Sequence, residues 1–270
     1  MFESDTDQLL VNVEDRVAAI TLNRPDARNA LSDELSGGLR KAIAWSAAAP
    51  EVGAVLITGA GSAFCAGGDV KAMGRRNAQT APGSPEAQFE AMRARHHEIG
   101  GALYAMRKPT IAALPGAAAG AGMAIALACD FRVAASSAFL TTAYARIGLS
   151  GDYGMAWLLT RVVGPARARA LMLTAQRVDA HQALPLGLVN QVCEPEELAA
   201  EAFALARKLA NGPVIAFGHM KDNLDEALVV DHATAIDHEA ERIAKSRATN
   251  DHREAVQAFA EKREPNFTQS

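Results

Sequence analysis

The segment that most constrains this chain runs from Pro109 to Cys129, PTIAALPGAAAGAGMAIALAC, and carries no charge. Its length alone would suit a membrane-spanning helix, which needs about 20 apolar residues. Its make-up argues otherwise. Pro115 and Gly116 interrupt it, Gly120 and Gly122 follow, and Lys108 and Asp130 close its two ends. It is rich in alanine and poor in leucine, isoleucine and phenylalanine. A proline–glycine pair inside an apolar run is turn punctuation, so the segment predicts a buried strand, a tight turn and a buried helix.

The surrounding chain repeats that grammar. Residues 10–22, LVNVEDRVAAITL, alternate around a polar turn at Glu14–Asp15 and read as a hairpin. After a loop from Asn23, Ser32 is placed to cap a helix running to about Ala49, with Asp33 and Glu34 in its first turn. Residues 53–58, GAVLIT, form a short continuous apolar run, the pattern of a strand covered on both faces. Strands at 111–114 and 130–134 flank a helix from about 120. The class is therefore α/β with covered sheets. Residues 74–86 are rich in Gly, Pro and Ser and read as a mobile loop. From about 160 the chain is mostly helical, with apolar spacings of three and four at 196–210 and 232–262.

With 270 residues the chain suffices for one large domain, or one domain plus an extension. A net charge of −4 gives no sign of a nucleic-acid or membrane-surface partner. Cys65, Cys129 and Cys193 lie far apart without metal-ligand spacing, the usage of free thiols in a reducing cytoplasm. The acidic, polar N-terminus does not resemble a secretory signal.

Two glycine-rich turns follow strands: GAGSAFCAGGD from Gly59 to Asp69, and PGAAAGAGM from Pro115 to Met123. Neither fits a nucleotide-binding spacing. Each lets another group approach the backbone closely, and a helix N-terminus adds free N–H groups. A pair of amide donors aimed at one oxygen, an oxyanion hole, is one reading; close helix packing is the other.

Here a resemblance enters. FCAGGDVK, from Phe64, and KPTIAALPGAAAGAGMAIALACD, from Lys108, resemble segments of the crotonase superfamily, the enoyl-CoA hydratase/isomerase family. So do IGL from Ile147, RVDAHQALPLGLV from Arg177 and HREAVQAFAEKR from His252, in the same order. The resemblance implies a spiral of stacked ββα turns over residues 1–195 and a C-terminal helical region, 196–270, that mediates trimerisation. It implies an acyl-CoA thioester as ligand, with coenzyme A part of the substrate and no separate cofactor. A homotrimer or dimer of trimers in the cytoplasm follows from it. The matched positions assign thioester-oxygen donors to the amides of Ala66 and Ala121. Phe259 and Lys262 match positions that in relatives help close the coenzyme A pocket, often from a neighbouring subunit, and Arg28 or Lys71 could meet its phosphates.

The chain departs from the family's hydratases at both catalytic glutamates. The matched positions hold Ala124, which cannot carry a proton, and Tyr144, a poor base at neutral pH. IGLSGDYG, from Ile147, instead places Asp152 where several isomerases and a chloroaromatic-CoA dehalogenase branch carry a catalytic aspartate. The expectation is double-bond isomerisation of an enoyl-CoA, with Asp152 as proton shuttle and Ala124 and Tyr144 lining a dry pocket. The alternatives are hydration of a 2-enoyl-CoA in fatty-acid breakdown, and a CoA-thioester binder with little catalysis. Asp69 reads as a helix cap, His96 and His97 as solvated or core histidines, and Cys65 as buried packing.

Overall fold

The computed structural model describes residues 2–70, 72, 74 and 84–270. Two strands open the chain, β1 (Leu9–Glu14) and β2 (Val17–Leu22), paired antiparallel. The turn between them puts Asp15 and Arg16 at positive φ, matching the right-handed twist of a hairpin. Helix α1 (Asp33–Ala48) follows, and its Leu35 amide donates to the Ser32 hydroxyl at 3.0 Å, the expected cap. Leu35, Leu39 and Ile43 of α1 are buried against the sheet. Each such side chain contributes about 1.5–3 kcal/mol on burial.

Three ββα turns then stack. Strands β3 (Ala54–Gly59) and β4 (Ala63–Cys65) lead to helix α2 (Pro85–His96), which continues through a π-helical turn, His97–Gly101, into the short α3 (Ala102–Ala105). Strands β5 (Thr110–Leu114) and β6 (Ala117–Ala119) lead to α4 (Ala121–Ala128). Strands β7 (Phe131–Ala135) and β8 (Phe139–Thr141) lead to α5 (Met155–Thr174). The first strand of each turn enters a six-stranded sheet, in which β3, β5 and β7 are parallel neighbours. The second enters a four-stranded sheet in which β4, β6 and β8 do the same. This is the spiral of ββα turns that the resemblance implies.

The uncharged run resolves as β5, β6 and α4. All eight residues of α4 are buried, and a helix of that length spans only about 12 Å. No helix among the described residues is long and apolar enough to cross a membrane. Small residues are obligatory here because successive turns touch backbone to backbone. A Cβ on Gly122 would lie 2.2 Å from the Cys65 carbonyl oxygen.

The short strands β9 (Val178–Asp179) and β10 (Gln191–Cys193) complete the sheets, with helix α6 (Ala180–Ala183) between them. Helix α7 (Leu198–Ala210) buries Leu198, Ala202, Ala206 and Ala210 against the large sheet. The boundary expected at 195/196 is therefore not where the core ends: α7 belongs to it, and the outlying helical layer starts with α8 (Val214–Glu226). The periodic stretch 232–262 is two helices, α9 (His232–Arg247) and α10 (Asn250–Glu261). Thr249 caps the second by accepting from the His252 amide at 3.1 Å. The loop expected at 74–86 lies mostly outside the described residues. Its end is ordered differently from that expectation, because Ser84 caps α2 and Pro85 takes its first position.

Candidate active site

A cavity of about 430 Å³ opens where β4, the N-terminus of α4 and the loop before α5 meet. Gly68, Asp69, Ala121, Tyr144 and Asp152 line it, together with His96 and Arg95 from the end of α2.

Ala121 is the first residue of α4, and the first amides of a helix have no partner within it. No described side chain caps this end, so its N–H groups and the positive end of the helix dipole face the cavity. Opposite, the Gly67 turn approaches so closely that a Cβ there would sit 3.5 Å from the Ala121 nitrogen.

The second expected donor requires a correction. The Ala66 amide is already spent, donating to the Arg28 carbonyl at 2.9 Å, and Ala66 does not line the cavity. Gly68 does. Leu31 pairs in parallel with Gly68 and donates to the Gly67 carbonyl at 2.8 Å. A parallel bridge uses the groups of the residues flanking Gly68, so the Gly68 amide turns away from Leu31. Gly67, at φ +92°, makes the twist that separates the two amides.

Asp152 sits in a loop bent by four left-handed residues, Gly148, Gly151, Tyr153 and Gly154. Its Oδ1 accepts the Tyr144 hydroxyl at 2.5 Å, and its carboxylate serves this partner rather than its own turn. Burial raises the Asp152 pKa above the usual carboxylate value, while the Tyr144 hydrogen bond and the nearby His96 pull it back. Burial and the adjacent carboxylate push the Tyr144 hydroxyl far up, so it donates and does not act as a base. His96 lies against Tyr153 with ring centroids 4.4 Å apart and the planes tilted by 46°; burial lowers its pKa, against the pull of Asp152.

The remaining expectations divide. Ala124 is fully buried inside α4 and does not line the cavity, so its methyl group packs the core instead. Asp69 accepts from the Ala72 amide at 3.0 Å, the expected cap, and pairs with Arg24 at 3.3 Å. Cys65 is buried and its thiol is pushed up to about 12. Arg28 is exposed outside the cavity lining, and Lys71 lies outside the described residues. Phe259 is 87% exposed on α10, Lys262 follows it at the helix end, and neither lines this cavity. Sequence reasoning missed Gly68 and set His96 aside. RARHHE carries no signal that would bring His96 to Asp152, because that approach depends on how α2 packs. Among the described residues no group of His, Cys, Asp or Glu is arranged to hold a metal.

Two amide donors beside a helix N-terminus, with the half-buried Asp152 carboxylate in the same cavity, can stabilise charge on a carbonyl oxygen and move a proton next to it. Residues 12–270 match the family model described as enoyl-CoA hydratase/isomerase. The chain is 36% identical over 260 residues to 1,2-epoxyphenylacetyl-CoA isomerase of Escherichia coli K12, covering 96% of this chain and 98% of that one. It is 33% identical to crotonyl-CoA hydratase of Syntrophomonas wolfei, covering 97% and 98%. The crystal structure of an enoyl-CoA hydratase from Polaromonas sp. JS666 superposes with a TM-score of 0.88 at 33% identity, over 96% of this chain and 98% of that one. Stacked ββα turns, their order along the chain and this agreement over nearly its whole length lead to one assignment: the chain belongs to the enoyl-CoA hydratase/isomerase family, whose members act on CoA thioesters.

Proposed function

We propose that this protein shifts the double bond of an enoyl-CoA. The amides of Gly68 and Ala121 hold the thioester oxygen, and the charge that develops there on enolisation is stabilised in place. Asp152 takes a proton from one carbon of the dienolate system and returns it to another. Tyr144 holds the carboxylate in position and keeps it ionised. The observation that carries this reading is the half-buried Asp152 carboxylate, fixed by Tyr144, in a cavity that Gly68 and Ala121 also line. Neither Ala124 nor Tyr144 can replace the glutamates of the paired-carboxylate route to water addition.

The test is Asp152→Asn assayed with a 3-enoyl-CoA. Isomerase turnover should fall by about 10²–10⁴-fold, the usual contribution of a positioned acid–base group. Unchanged turnover would remove Asp152 from the mechanism. Hydration is the second reading, favoured by the hydratase names among the relatives and by the polar rim of Asp33, Asp69 and Arg95. Loss of the conjugated thioester absorbance of crotonyl-CoA at a rate matching isomerisation would establish it instead. A binder with little catalysis would hold acyl-CoA tightly and turn over neither substrate.

The same reading includes a homotrimer or a dimer of trimers. Leu224, Val229 and Phe259, each at least 70% exposed on or beside the outlying helices, are the apolar surface such an assembly would cover. A stable, active monomer in sedimentation velocity would contradict it.

A further inference from the structure

A second cavity, of about 300 Å³, lies directly behind the carboxylate site. His96 and Tyr153 line both, so the two cavities adjoin at this pair of tilted rings. The rest of the second cavity's lining is mostly apolar: Tyr104, Trp157, Leu158 and three glycines, with His97 as the polar member. Tyr104 and Trp157 meet edge to face with centroids 4.9 Å apart. Each ring is held from outside the lining. The Tyr104 hydroxyl donates to Asp225 at 2.6 Å, and the Arg161 guanidinium lies 3.4 Å from the centre of the Trp157 ring.

The floor is made of Gly100 and Gly101, in the π-helical turn that continues α2. The two glycines are there for different reasons. A Cβ on Gly100 would come within 2.8 Å of the Tyr153 carbonyl oxygen, so close packing forbids a side chain. Gly101 has ordinary helical angles, and a Cβ there would meet nothing nearer than 3.6 Å. A Cβ therefore fits at 101 without a clash, and Gly101 lines the cavity, so a large side chain there narrows it. π-helical turns of this kind recur at functional sites.

We infer that this cavity receives the acyl end of the substrate, that the acyl group is a flat ring rather than a straight chain, and that Gly101 sets this preference. The inference rests on the CoA-thioester reading above. Ring walls at these angles offer offset and edge-to-face partners to another ring, which a flexible alkyl chain cannot exploit. The chain also loses more rotational freedom on binding.

The experiment is calorimetric titration with acetyl-CoA, octanoyl-CoA and phenylacetyl-CoA, the last two equal in acyl carbon number. The wild-type protein should bind phenylacetyl-CoA roughly tenfold more tightly than octanoyl-CoA, the affinity ratio of a favourable aromatic contact. Gly101→Leu should abolish that preference and leave acetyl-CoA affinity unchanged. Trp157→Ala, which opens the wall instead of filling the floor, should weaken phenylacetyl-CoA selectively. Octanoyl-CoA binding as tightly as phenylacetyl-CoA in the wild type would overturn the inference while leaving the thioester reading intact. So would a ring preference that survives Gly101→Leu. Failure to bind even acetyl-CoA would overturn both.

Discussion

The Tyr144 hydroxyl donates to Oδ1 of Asp152 at 2.5 Å, joining the short helical turn after β8 to the loop that precedes α5. A position that in related hydratases would hold a base here holds a donor that serves the remaining acid. The two side chains form one hydrogen-bonded unit, in which the phenol donates and, in the proposed mechanism, the carboxylate moves the proton.

Removing that donor should move the pH profile. The hydrogen bond favours the ionised carboxylate and partly offsets the effect of burial, which favours the protonated form. Tyr144→Phe therefore raises the Asp152 pKa further. The acidic limb of kcat/KM for isomerisation should shift to higher pH, with activity recovered at alkaline pH. An unmoved limb would separate Tyr144 from the titration of Asp152.

Asp152 should cost the fold stability when ionised. Its folded pKa lies above its ordinary value, so its contribution is most favourable below the unfolded pKa and is lost as pH rises through the folded one. At neutral pH the buried charge is a net burden. Asp152→Asn should raise the melting temperature at pH 7, and the gain should vanish below about pH 3.9, the ordinary aspartate value. Equal melting gains at both pH values would contradict the linkage.

Ala121 tests the amide donors without touching a side chain. Proline is tolerated at the first position of a helix, where the amide has no helical partner. Ala121→Pro should thus keep the fold, checked by circular dichroism, and lower kcat by about 10²–10³-fold, the usual loss of one oxyanion donor. A folded variant with wild-type kcat would take this amide out of the site.

Gly122 should be far less forgiving than its neighbour. Its missing Cβ would stand 2.2 Å from the Cys65 carbonyl oxygen, a backbone atom that cannot rotate away. Gly122→Ala should destabilise the protein by at least about 4 kcal/mol, the range of severe core defects. Denaturant unfolding reads this directly, and a loss below about 1 kcal/mol would show that the turns can slide apart.

Local chemistry made much of this molecule legible in the sequence. The hairpin, the Ser32 cap, the covered strands and the Pro–Gly break each depend on residues a few positions apart, as did the motif that places Asp152. The site's donors were a different matter. Ala66 and Gly68 stand two residues apart in one glycine-rich turn, and nothing local distinguishes their amides. The loop at Arg28–Leu31 decided between them, covering the first and bridging beside the second, because it packs against β4 from far along the chain. In the same way, only the packing of α2 against the loop before α5 brought His96 to Tyr153 and Asp152, and with it a ring-walled cavity. Short-range sterics and hydrogen bonding wrote the elements into the sequence; which polar groups stay free to meet a substrate depends on what the rest of the chain covers, and that is a property of the tertiary fold.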